Sequence, residues 1–269
     1  MQNKGNKKRV IEEVKKPIIR GSWHGRDAWK LALKRALSMF IVIFVYLIAG
    51  IMFTFNSFWG RILSSAFIVF VAAYYLYASG VAQGQTDAAF GEILYVRNAE
   101  GHPIPETDRE RSFHPLKGVF AVLVGSLPFI LFALVFACLT RETTYRLGTL
   151  PVWTEGLMAQ SEFGDALAYY DHRAGMTAID IMRVVDRAMI MPFINIASLW
   201  GSKAALLAER LSPLLLLAAP LGYALGYSQG LRVRTQINTG IKMGDDKKKR
   251  RERKTRKQRQ RSKSPERLI

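Results

Sequence analysis

Asp165, Asp171 and His172 are residue types that could build a hydrolytic or metal site. In Glu162-Phe-Gly-Asp-Ala-Leu-Ala-Tyr-Tyr-Asp-His-Arg173, carboxylates stand near an imidazole able to move a proton or hold a cation. One Asp-His dipeptide is little to build on, and solvated loop charges account for the same residues. The other histidines, His24, His102 and His114, are scattered. No HExxH pattern, Walker loop or GxSxG elbow occurs. The single cysteine, Cys138, lies in an apolar block, so one chain can build neither a disulfide nor a Cys-based zinc site. The reading is of a non-enzymatic protein without catalytic, cofactor or metal residues.

The elements available to position any chemistry are of one kind. Residues 36–60, 62–86, 118–140 and 211–231 contain no Asp, Glu, Lys, Arg or His, and each run is 21 to 25 residues long. About 20 apolar helical residues, rising about 1.5 Å each, cross a hydrocarbon core of roughly 30 Å. Interiors such as FIVIFVYLIAGIMF would expose too much apolar area on a water-soluble protein. Trp59, Tyr145, Trp153 and Trp200 flank the runs as interfacial aromatics do. Pro128, Pro213 and Pro220 predict kinks, since each frees a backbone carbonyl.

The expected fold is therefore all-α, a helical transmembrane bundle of about four spanning helices. A basic segment at 1–35 precedes three helices within 36–140, joined in part by a cytoplasmic loop at 84–117. The first helix reads as a retained anchor, because the basic stretch before it is longer than a signal peptide's. In the loop, 98–105 reads as a turn and 91–97 as a short strand. An extracytoplasmic segment at 141–210, a fourth helix at 211–231 and a disordered basic tail at 232–269 follow.

Within 141–210, Met176, Ile179, Met182, Val185 and Met189 recur at helical spacing, with Asp180, Arg183, Asp186 and Arg187 opposite. The apolar run at 188–202 comes next, interrupted by Pro192 and too short to span comfortably. An amphipathic helix at the interface or capping the bundle fits both. A re-entrant or fifth crossing and a small soluble subdomain are the alternatives.

Mean hydropathy is only +0.06 because most of the 39 Lys and Arg lie at the two ends. With four spans and a cytoplasmic N-terminus, the cytoplasmic pieces hold 31 of these cations and the outer pieces 8. Positive charge is retained on the cytoplasmic side, so both termini are expected there, in a plasma or inner cell membrane.

A motif occurs twice, at Tyr77-Ala-Ser-Gly-Val-Ala-Gln-Gly84 and Tyr223-Ala-Leu-Gly-Tyr-Ser-Gln-Gly230, sharing Tyr-Ala-x-Gly-x-x-Gln-Gly. Two tandem helical hairpins, or chance among small residues, would give this pattern. Gly80 with Gly84, and Gly222 with Gly226 and Gly230, form ridges on which helix backbones can approach closely. The second and fourth helices are thus expected in central contact, with Gln83 and Gln229 near the seam.

Lys247, Lys248, Lys249, Arg250, Arg251, Arg253, Lys254, Arg256, Lys257, Arg259, Arg261 and Lys263 crowd 17 residues that contain nothing apolar. Such a segment has nothing to bury and is expected to be disordered. Three partners suit it: anionic lipid at the cytoplasmic face, the phosphates of RNA or a ribosome, or an acidic protein. With no interleaved aromatics, nucleic-acid binding would be non-specific and salt-sensitive. A basic tail behind a helical membrane domain is similar to that of ribosome-binding membrane insertases. Their charged intramembrane groove has no counterpart in these runs, so no family is assigned. The expected role is partner-holding in the bilayer through the basic tail, and the runner-up is a small permease or channel subunit, with a homodimer through the glycine ridges.

Overall fold

A computed structural model describes residues 13–53, 55, 57–141, 155–160 and 177–262. The helices are α1 (Arg26–Met52), α2 (Phe58–Ala99), α3 (Glu106–Arg111), α4 (Lys117–Leu139), α5 (Glu155–Met158), α6 (Ala178–Met189), α7 (Met191–Ala197), α8 (Ser202–Arg210), α9 (Ser212–Leu215) and α10 (Pro220–Ser262). No strand occurs among the described residues. Four stretches are long and apolar enough to cross a membrane: Arg26–Met52, Phe58–Ala99, Lys117–Leu139 and Ser212–Gln258. Each contains most or all of one charge-free run, because lipid-length apolar sequence is what distinguishes it.

Several elements depart from the sequence reading. Residues 91–97 are not a strand, since α2 continues to Ala99. Gly84, Asp87, Ala88, Gly91 and Glu92 are buried at helical spacing, so the burial period is near 3.6 rather than 2. The expected turn does follow, with Gly101 at φ 83°, a left-handed conformation that glycine adopts without steric cost. The fourth run is interrupted at the prolines expected to kink it, and is two helices rather than one. Helix α9 starts at Ser212 with Pro213 in its first turn, and α10 starts at Pro220, which has no N–H with which to continue the helix from α9. Pro128, by contrast, lies inside an unbroken α4. The tail departs as well: instead of disorder, α10 runs without interruption to Ser262. Lys, Arg, Glu and Gln are good helix formers, and a helix already nucleated in packed structure extends at one backbone bond per residue.

The chain forms two compact units that share the long helices. The first comprises Met1–Ala32, Leu76–Val122 and Gly222–Ile269. In it the stretch before α1 has no regular secondary structure and is pinned by hydrogen bonds. Val14 N–H donates to Thr239 Oγ1 (2.9 Å), Ile19 N–H to the Gly91 carbonyl (3.2 Å) and Gly21 N–H to the Phe113 carbonyl (3.1 Å). The Ser112 hydroxyl donates to the Ile19 carbonyl. Phe120 makes T-shaped contacts with the rings of Trp23 and Trp29.

The second unit comprises Leu33–Tyr75 and Leu123–Leu221. Its core joins Ala133, Met189, Ile190, Ile194, Ala208 and Leu216, with Ile43, Phe129 and Phe132 packed around them. The run at 188–202 is therefore held against α1 and α4. Asn195 Nδ2 donates to the Gly50 carbonyl (2.9 Å), and a Cβ on Gly50 would meet Met191 at 2.6 Å. Helix α6 is amphipathic as expected but turned over: Arg183, Asp186 and Met189 are buried, while Ile181, Val184 and Val185 are exposed. Thr177 caps it in a capping box with Asp180.

Candidate functional site

In the first unit the two Tyr-Ala-x-Gly motifs meet each other. A Cβ built on Gly80 would fall on the Tyr223 carbonyl, and one on Gly226 on the Tyr77 carbonyl, both closer than 3.0 Å. Gly84 and Gly230 are likewise backbone to backbone. The contacts are reciprocal, Gly80 with Tyr223 and Gly226 with Tyr77, as a two-fold relation about an axis along two parallel helices would produce. Gly222 is half-buried beside them. These ridges are occupied within one chain, so a homodimer through them would have to displace this contact. Gln83 does not bond across the seam; its Nε2 donates to Asp87 Oδ1 (2.8 Å) on its own helix. Gln229 is half-buried.

Next to the seam lies a polar network that the sequence reading missed. Lys117, 1% exposed, directs its ammonium to Asp27 Oδ2 (3.2 Å), Asp87 Oδ2 (3.4 Å) and the carbonyls of Glu110 and Arg111 (3.2 Å each). The Tyr227 hydroxyl donates to Asp87 Oδ2 (2.6 Å), and its ring stacks on Phe113. Further along the same helices, Arg234 Nη2 (2.8 Å) and Asn238 Nδ2 (2.6 Å) donate to the two oxygens of Glu92. The signal was present: Asp87 immediately follows one charge-free run and Lys117 immediately precedes the next. Opposite charges bounding consecutive runs can pair when the runs pack.

The second unit has its own buried charges. Glu209 accepts from Arg187 at 2.6 and 2.7 Å and from the Thr140 hydroxyl at 2.7 Å. Arg183 reaches the same carboxylate at 3.4 Å, the Thr140 hydroxyl at 3.2 Å and the Arg141 carbonyl at 2.8 Å. Asp186 is fully buried beside them, with neither oxygen hydrogen-bonded among the described residues and the Ser212 hydroxyl nearby but not in hydrogen-bond geometry. Burial pushes the Asp186 carboxyl up, the Ser212 hydroxyl opposes, Glu209 adds to the rise and Arg187 opposes, for a balance at about 7.

A carboxyl raised from 3.8 to about 7 binds its proton more tightly in the folded protein. Stability is then greatest below pH 4, declines as pH rises toward 7 and stays lower above it. Asp186→Asn should abolish this slope and raise stability at pH 8 by about 2 kcal/mol, the linkage value discounted for residual solvation. Thermal unfolding in mild detergent at pH 4 and pH 8 measures it, and an unchanged slope in the variant would refute the assignment.

Of the basic residues singled out in the sequence, Lys247 to Lys257 lie along α10 and are exposed, while Arg259 and Arg261 fall in its last turns. Lys263 and the Asp165, Asp171, His172 group lie outside the described residues. Among the described residues, no three His, Cys, Asp or Glu side chains are grouped to hold a metal. No family model matches the chain, and no curated protein or solved structure matches it. What the fold defines is a class, an all-helical chain with four helices suited to a membrane.

Proposed function

We propose that this is a multi-pass protein of the cell membrane, with both ends cytoplasmic, that holds a polyanionic partner on the basic end of α10 and performs no catalysis. The carrying observation is that α10 is one helix from Pro220 to Ser262 whose residues 240–258 are exposed on every side. At about 1.5 Å per residue, the part beyond Leu231 is roughly 45 Å long, and Lys247 stands about 24 Å past the end of the apolar run. Electrostatic attraction to a leaflet decays over about 8 to 10 Å at physiological salt. A straight α10 therefore carries its cations beyond lipid and into reach of a soluble partner. Charge on all faces, with no apolar or aromatic residue among it, suits an RNA backbone better than a protein surface, where aromatic anchors carry the binding.

The test uses the full chain in detergent with labelled single-stranded RNA at 50 and 200 mM salt. Affinity should fall steeply with salt. Replacing Lys247, Lys248, Lys249, Arg250 and Arg251 by Gln should flatten the log–log slope by about 0.7 for each phosphate no longer neutralised. A slope untouched by these substitutions refutes the reading.

A small permease or channel subunit remains the second reading, favoured by the buried charges of α6 and α8. With α7 packed against α1 and α4, the 178–215 segment is read as a re-entrant insert that brings ionisable groups to the spans. Transport surviving removal of residues 245–269 would select this reading.

A further inference from the structure

A second basic feature lies at the other end of the exposed stretch of α10. Residues 13–20 and α10 enclose an open groove of about 640 Å³. Among its lining residues are Lys15, Lys16, Arg20 and Arg232 with one carboxylate, Glu13, and the apolar Ile18 and Leu231; Lys16 also lies within electrostatic reach of Glu92. Lys15 stands 3.9 Å from Glu13, whereas Lys16, Arg20 and Arg232 form no ion pair among the described residues. Both walls are fixed: the bonds from Val14 to Thr239 and from Ile19 to Gly91 hold the N-terminal stretch in place. Three cations that form no ion pair among the described residues, from segments remote in sequence, are thus held around one space, at the point where the last charge-free run ends.

The neighbouring face of α10 tells what kind of anion fits. Leu225, Ser228 and Arg232 follow one another at spacings of three and four, so they share one helix face, and all three are solvent-accessible. Leu225 is 64% exposed. That face runs from an apolar side chain within the run, through a hydroxyl, to a guanidinium in the groove. A free phosphate would use only the last part. A phospholipid would use all of it, with its acyl chain against Leu225 and its phosphate among Lys16, Arg20 and Arg232.

We propose that this groove binds the phosphate headgroup of an anionic phospholipid, with Lys16, Arg20 and Arg232 as its ligands and the Leu225 face as its acyl track. The site rests on the membrane placement of α10 and is independent of RNA binding by the helix's far end. It moves lipid contact away from residues 247–263 and onto residues at the foot of the span.

The thermal midpoint of the full chain in neutral detergent is measured with added phosphatidylglycerol, phosphatidylcholine or glycerol phosphate. Phosphatidylglycerol should raise it in a saturable way while the other two leave it unmoved. The substitutions Lys16→Gln, Arg20→Gln and Arg232→Gln together should weaken the lipid effect roughly 100-fold. Leu225→Gln should weaken it without creating a response to glycerol phosphate. Glutamines at 247–251 should leave it intact. An equal shift with glycerol phosphate would mean a soluble anion site, and an equal shift with phosphatidylcholine would mean no charge recognition. Either result, or loss of the shift in the 247–251 variant alone, overturns the proposal.

Discussion

Gly226→Ala is expected to destabilise the protein by about 3 kcal/mol or more, an unusual cost for a single methyl group. The new Cβ would fall on the Tyr77 carbonyl, Cα and carbonyl carbon, all main-chain atoms of α2. A side chain could rotate away, but a helix backbone cannot, so α2 and α10 must move apart along the whole seam. That separation also loosens Gly80 on Tyr223 and Gly84 on Gly230, where close approach supplies much of the contact energy available in lipid. The same substitution further along the helix should have the opposite sign. Gly240 and Gly244 lie in α10, and among the described residues nothing stands within 4 Å of a Cβ added at either. There alanine removes only the conformational entropy cost of glycine and should stabilise by roughly 0.5 to 1 kcal/mol. Unfolding in mild detergent compares the three variants. If Gly226→Ala proves as benign as Gly240→Ala, the glycine seam is not what joins the helices.

The glycine contact was legible because it depends on residue type at fixed spacing: only glycine at i and i+4 makes a backbone-wide ridge, and the repeated Tyr-Ala-x-Gly named both partners. The spans were legible for the same kind of reason, since lipid-length runs without charge have few other uses. What was not legible depended on tertiary partners. Helix α6 has a clear period, but period alone does not say which side faces inward. The charged side does so because Glu209 lies 22 residues downstream of Arg187 and meets it in space. Residues 91–97 are β-branched and aromatic enough to read as a strand, yet Gly91 and Glu92 are buried as parts of a helix pinned by Ile19, Arg234 and Asn238. The basic segment was read as disordered from its composition, which reports what it can bury and not what precedes it. Continuity with the packed part of α10 supplies the nucleus that such a sequence lacks alone.

Lys117→Met should be the other severe change, at about 3 to 5 kcal/mol, because it strands a charge. Asp87 is 2% exposed, and without the ammonium its carboxylate would retain only the Tyr227 hydroxyl and the Gln83 amide. Asp27 would suffer less, since a third of its side chain reaches solvent. Combining Lys117→Met with Asp87→Asn should recover most of the loss, and the double-mutant cycle then isolates the pair from the packing of the lysine stem. Tyr227 makes this more than a local matter. Its carbonyl lies against Gly84, its ring against Gly118 and Phe113, and its hydroxyl on Asp87, so one residue belongs to both the seam and the ion network. Displacing the backbone at Gly84 tilts the ring and pulls the hydroxyl from the carboxylate. Gly84→Ala and Lys117→Met should therefore be less than additive in unfolding free energy, with the second substitution costing little once the first has opened the contact. Strict additivity would mean that the seam and the network hold the first unit independently.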